Sequence, residues 1–192
     1  MEPKEFRVIK PEIRILGVDD GKFVPHTPGS VIVVGVVFRG GCQIDGVMHT
    51  HVEVDGFDAT DKLASMVNGS PHCKQLRLIM LDGITLAGFN VVDIKRLNLA
   101  TELPVIALTH DKPDLEAVHE ALSNLPLSEE RWRIILDAGK IHEVTCRGKR
   151  LYMEVAGISE SDAEEVILST ATNGSFPEPL RVAHLIASGV TL

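Results

Sequence analysis

Two apolar runs in this chain stop on aspartate. In "ILGVDDGKF" (15–23) the run ends at Asp19 and Asp20, and in "QLRLIMLDG" (75–83) it ends at Asp82. Two carboxylates a few ångströms apart repel, and each loses hydration on burial. Both stay ionised only around a cation; otherwise protons are taken up. Mg²⁺, and likewise Mn²⁺, suits such a pair: it takes hard oxygen ligands and keeps room for waters and a substrate phosphate. Two such ions together activate an attacking water and stabilise the leaving oxygen of a phosphodiester. The competing reading is turn chemistry, because Asp-Gly commonly follows a strand. Residue type and spacing leave both readings open at Asp19 and Asp82, and leave Asp20 undecided.

Other chemistry-bearing residues have plainer explanations beside the sharper ones. His49, His51 and Glu53 share one face of a strand by the period of two. They suit either a metal site or the solvated face of an edge strand. Gly83, Gly88, Phe89 and Asn90 suit a loop that approaches a nucleotide, with Phe89 stacking on a displaced base; simple turns explain the glycines equally well, and a core position is the plainer reading of Phe89. Arg181, one turn into a helix begun by Pro177-Glu178-Pro179, can reach a phosphate or pair with a carboxylate. Lys140, Arg147, Lys149 and Arg150 concentrate basic charge at a hairpin tip. No Gly-rich phosphate loop, Ser–His–Asp order or reactive-cysteine context stands out.

The elements that must position these residues follow from periodicity. Residues 12–19 read as a first strand, too densely apolar for an edge. "SVIVVGVVFRG" (30–40) is a second, apolar on nearly every position and so buried on both faces. "GVMHTHVEVDG" (46–56) is a third, joined to the second by a hairpin at the Asp-Gly of "QIDG". A helix over 59–68 capped by Asp58 follows, then the strand ending at Asp82, a helix over about 90–99, a strand over 104–110 and a helix over 113–125. Residues 131–137 are ambiguous. A hairpin turns at Arg147-Gly148, and helices over about 160–172 and 179–188 close the chain. This order predicts an α/β fold over 1–192 as one domain: a ribonuclease-H-like mixed sheet, helices on both faces, and a C-terminal hairpin and helices. With the first strand central and parallel to the one ending at Asp82, Asp19 and Asp82 stand side by side at the strand ends, where open α/β sheets place ligands.

Composition narrows the classes. The 192 residues are 44% hydrophobic and carry 19 basic against 27 acidic side chains, a net charge of −8. That argues against a tight, non-specific nucleic-acid binder but not against a nuclease, since bound cations reverse the field at a carboxylate cluster. No apolar stretch spans a membrane, and the charged "MEPKEFRVIK" start lacks a signal core. Cys42, Cys73 and Cys146 are widely spaced and read as buried thiols in a reducing compartment, so the cytoplasm is the expected location. The oligomeric state is not encoded in any pattern.

"GVDDGKF", "LDGITLAGFNVVDI", "LPVIAL" and "FPEPLRVAHLIASG" resemble the mostly archaeal family called domain of unknown function ninety-nine. That family is similar to endonuclease V and has been described as a deoxyuridine-directed endonuclease. The resemblance implies a ribonuclease-H-like fold and Mg²⁺- or Mn²⁺-dependent cleavage of DNA, deaminated or single-stranded, or of RNA, at or near uracil or hypoxanthine. Carried over by position, it makes Asp19 and Asp82 catalytic aspartates and metal ligands. It makes Asp61 the third ligand, with Asp58 as the alternative. The endonuclease V lysine falls on His110, a phosphate donor or proton carrier, with Lys112 close by. The late histidine falls near Ala156, so Asp162 or Glu160 is the candidate last ligand. The base-separating wedge has no counterpart after the third strand. A non-catalytic binding module of the same fold, or a small-molecule phosphohydrolase, are the alternative classes.

Overall fold

The computed structural model describes residues 8–191. Seven strands form one mixed sheet: β1 (Arg14–Asp20), β2 (Ser30–Arg39), β3 (Gln43–Glu53), β4 (Leu78–Asp82), β7 (Val105–Thr109), β8 (His142–Cys146) and β9 (Lys149–Ala156). Their spatial order is β3-β2-β1-β4-β7-β9-β8. β1, β4 and β7 run parallel, and the two outer pairs join them antiparallel. The density of branched apolar residues explains the centre. Val31, Val33, Val34, Val36 and Val37 of β2 and Ile15, Leu16 and Val18 of β1 are all buried, which requires cover on both faces.

Helices supply that cover. On one face, α1 (Ala59–Asn68) and α2 (Ile94–Thr101) bury Leu63, Val67, Ile94 and Leu97 against Leu16, Val18, Ile79 and Leu81. On the other face, α5 (Glu160–Thr170) and α6 (Glu178–Gly189) lie over the sheet. There Val166, Ile167 and Leu180 pack on Ile15, Leu78, Met80 and Ile106. Two further helices, α3 (Leu115–Leu122) and α4 (Ser128–Ala138), pack Leu122 and Ile135 against Val91. The fold is therefore the α/β arrangement expected from element order, with the C-terminal hairpin paired into the main sheet along β7.

Several details differ from the sequence reading. Asp45-Gly46 lies inside β3 and not at the turn: Gly40, at φ +55°, reverses the chain instead. The Asp45 carboxylate is occupied by Arg14 and Arg39, each at 2.8 Å. The stretch before α2 is a small hairpin, β5 (Thr85–Leu86) and β6 (Asn90–Val91), because Asp93 accepts the Arg96 N–H and so sets the helix start. Likewise Asp114 caps α3 through the Glu116 and Ala117 N–H groups, which shortens that helix. The ambiguous 131–137 stretch is α4, whose buried face is Arg131, Ile135 and Ala138 at helical spacing. Of the three thiols only Cys146 is buried; Cys42 is exposed in the turn before β3.

Candidate metal centre

Strand register builds this site. β1 and β4 pair in parallel with Val18 opposite Leu81, so the next residues, Asp19 and Asp82, are neighbours at the strand ends. Side chains alternate across a sheet. Asp19 therefore continues the Ile15 and Gly17 face, toward α6, whereas Asp20 continues the Leu16 and Val18 face, toward α1 and α2. The two adjacent carboxylates serve opposite sides of the sheet.

The third group comes from α6. Gly17 lies directly beneath the helix start: a Cβ there would stand 2.2 Å from the Pro179 carbonyl oxygen, so only glycine admits this approach. From that contact α6 and β1 run in the same direction. His184 is five residues further along, about 7.5 Å at the helical rise. Asp19 is two residues further, about 6.8 Å at the strand rise. The imidazole consequently meets the carboxylate, with Nδ1 2.7 Å from Asp19 Oδ2. One ligand atom each from Asp19, Asp82 and His184 lie within 4.8 Å of one another, and among the described residues no other His, Cys, Asp and Glu side chains form such a group.

Burial and mutual repulsion dominate the electrostatics of the cluster. Asp19 is 5% exposed. Burial, with the Asp82 carboxylate adding to it, pushes its pKa up to about 7, against the opposing pull of His184. Asp82 is raised too, by burial, while His110 and His184 pull it back. Asp20 is raised by burial and restrained by its hydrogen bond from the Ala87 N–H at 2.7 Å. Two carboxylate oxygens and one imidazole nitrogen make a donor set that a divalent cation would fit, and such an ion would remove the repulsion that now favours protonation.

The other residues named from sequence fall as follows. His110 stacks on Phe176 with ring centroids 4.1 Å apart, near enough to Asp82 for its charge to be felt there. Lys112 is exposed in the loop that follows. Phe89 is half-buried beside Val91, Leu122 and Ile135. Arg181 is engaged bidentately by the buried Glu178 of its own helix, at 2.9 and 2.6 Å, and not by the cluster. Asn90 is buried and structural, its side chain joining Ala59, Glu53 and Asp58.

Asp61 and Asp162, with their alternatives Asp58 and Glu160, stand outside the Asp19–Asp82–His184 group. Asp61 stands on the outer face of α1, 64% exposed and paired with Arg96, because Ala59, Leu63 and Val67 take the inner face. Asp58 is committed to the Glu53 N–H and to Asn90. Asp162 lies in the first turn of α5, where its N–H meets the capping Ser159, and it is not part of the Asp19–Asp82–His184 group. Glu160 pairs with His142 at 2.8 Å. His184 was missed by sequence reasoning. The available signal was its place in "PEPLRVAHLIASG", five residues after Pro179.

The sequence profile of the family described as Endonuclease dU matches residues 11–191. The chain belongs to that family. A UPF0215 protein of Methanothermobacter thermautotrophicus is 53% identical over all of this chain and 94% of its own length. The crystal structure of a protein of unknown function from Archaeoglobus fulgidus superposes with a TM-score of 0.84 at 41% identity, covering 93% of this chain and 98% of that one. Endonuclease V of Ciona intestinalis, in complex with a 24mer DNA containing an inosine followed by a ribo-adenosine, superposes at 0.57 with 11% identity, covering 89% and 82%. At that identity the likeness shows a shared endonuclease-V-like, ribonuclease-H-like fold. No helix among the described residues is long and apolar enough to cross a membrane.

Proposed function

We propose that this member of the Endonuclease dU family is a divalent-metal-dependent endonuclease that hydrolyses a phosphodiester at or near a deaminated base, uracil or hypoxanthine, in DNA or RNA. The observation that carries this reading is the Asp19–Asp82–His184 group at adjacent strand ends of an endonuclease-V-like fold. Asp19, Asp82 and His184 hold the metal, Mn²⁺ or Mg²⁺. When bound, the ion supplies Lewis-acid polarisation of a phosphate oxygen and lowers the pKa of water. His110, kept in place by its stack on Phe176, donates to the phosphate or carries a proton. Lys112 contacts the backbone. Arg181 acts at a distance: its bidentate pair with Glu178 fixes the start of α6 and with it His184.

The test is cleavage of end-labelled single- and double-stranded oligonucleotides, with and without uracil or hypoxanthine, in Mn²⁺ and in Mg²⁺, beside the Asp82→Asn variant. Metal-dependent cutting near the altered base, lost in the variant, supports the assignment. Absence of cutting by folded, metal-binding protein sinks it in favour of a binding module.

A further inference from the structure

We propose that the cleft between residues 26–28, the β3–α1 turn, Phe89 and the α3–α4 connection receives the substrate base, and that the Asp55 carboxylate reads its ring N–H. This deepens the nuclease reading and rests on it. The cleft encloses about 680 Å³, ample for a nucleoside, and Val54, Phe89, Leu125 and Pro126 give it apolar walls. Among the described residues lining it, Asp55 brings the one carboxylate.

That carboxylate is held at both oxygens. Asp55 sits at φ +50° and its Oδ1 accepts the Phe89 N–H at 2.9 Å. Oδ2 lies 3.3 Å from His26 Nδ1. Gly88 makes the approach possible, since a Cβ there would stand 2.3 Å from Asp55 Oδ1. Arg131, 2% exposed, ties the walls together: it donates to the carbonyls of Asp55 at 2.8 Å, Gly56 at 2.6 Å and Pro126 at 2.9 Å, and to that of Phe89. It is a positioning residue for the cleft. Three hydrogen bonds then run to the metal centre: Asp55 N–H to Ala87 O, Ala87 N–H to Asp20 Oδ2, and Asp20 N–H to Asp19 Oδ1.

The chemistry of deamination matches an anionic acceptor. Cytosine N3 and adenine N1 carry lone pairs; after deamination, the same ring positions of uracil and hypoxanthine carry protons. A carboxylate oxygen has lone pairs to spare for that N–H, and it repels the lone pair of the parent base. A well-placed contact of this kind separates right from wrong base by roughly ten- to a hundredfold. Thymine, which also has a ring N–H, is accepted alike by this contact.

The experiment is a titration of the full chain in EDTA with deoxyuridine, deoxyinosine, deoxycytidine and deoxyadenosine, followed by amide NMR shifts. We expect the two deaminated nucleosides to bind more tightly and to move the Asp55, Phe89 and Asn124 amides. Asp55→Asn tolerates the left-handed backbone, keeps an acceptor for the Phe89 N–H and turns an NH₂ toward the base. It should reverse the order in favour of deoxycytidine. A second arm uses wild-type protein with deoxyuridine methylated at the ring nitrogen, which should lose at least tenfold in affinity. Equal binding of the methylated nucleoside, an unchanged order in a folded Asp55→Asn, shifts confined to other surfaces, or no shifts up to the solubility limit each overturn the proposal. Because no metal or cleavage is involved, discrimination without any cutting would sink the nuclease reading alone.

Discussion

His184 Nδ1 meets Asp19 Oδ2 at 2.7 Å across 165 residues of chain. The last helix thus completes a cluster begun by the first strand, and the cluster exists only while α6 stays docked on β1. A metal bound by this group would be thermodynamically linked to the docking of α6, because a ligand that holds both elements stabilises the fold by mass action.

His184→Ala removes one of three ligand atoms and leaves the two carboxylates. Changes one shell further out typically cost roughly 10–100-fold in metal affinity, so loss of a ligand should cost at least that. Mn²⁺ titration followed by calorimetry checks it, and unchanged affinity removes His184 from the set.

Asp82→Asn removes the repulsion at Asp19 while keeping volume. The metal-free variant should be more heat-stable than the wild type near pH 8, and should gain much less stability from Mn²⁺. For scale, an ion at 100 times its Kd stabilises by about 2.7 kcal/mol. Thermal unfolding with and without Mn²⁺ reads both effects.

The pH dependence should change sign with metal. Asp19 titrates at about 7 in the folded chain against 3.8 as its ordinary value. The unfolded chain therefore releases this proton first, and metal-free stability falls as pH rises from about 4 through 7. The limit for one proton is about 1.36 kcal/mol per pH unit. Metal needs the deprotonated carboxylate, so Mn²⁺-induced stabilisation grows over pH 6–8. Parallel melts across this range, with and without Mn²⁺, test both slopes.

Glu154 should show the same slope without any metal dependence. It is 4% exposed on β9 and burial pushes it up to about 7, from 4.5. Glu154→Gln should stabilise the protein at pH 8 by up to about 3 kcal/mol and leave it unchanged at pH 4, as denaturant unfolding at the two pH values will show.

Gly17→Ala forces α6 away from β1, because the new Cβ would collide with the Pro179 carbonyl. Overpacking of this kind costs about 1–3 kcal/mol. The distinguishing readout is metal affinity, which should fall with it even though no ligand has changed.

These contacts mark where sequence reasoning reached and where it stopped. The adjacency of Asp19 and Asp82 was legible, because apolar density made β1 and β4 central and both runs ended on aspartate. The outward position of Asp61 was legible as well: Leu63 and Val67, one turn apart, define the inner face of α1, and a residue two positions before Leu63 points away. His184 was not legible by periodicity, since its role depends on where a distant helix lands. Gly17 sets that landing, and nothing local in "ILGVDDGKF" distinguishes it from a glycine serving a turn. Nothing in the ambiguous 131–137 stretch marks Arg131, because the carbonyls it serves come from the distant Asp55, Gly56 and Phe89 as well as from Pro126.

Asp19 and Asp20 face opposite sides of the sheet, and each side has its own set of loops and helices. The turns that meet Asp20 and the helix that meets Asp19 are therefore separate segments, joined through the strand by the Asp20 N–H bond to Asp19 Oδ1. The pleat of one strand thus serves two compartments and couples them at adjacent residues. A slip of β1 by a single residue would exchange their occupants and disable both at once.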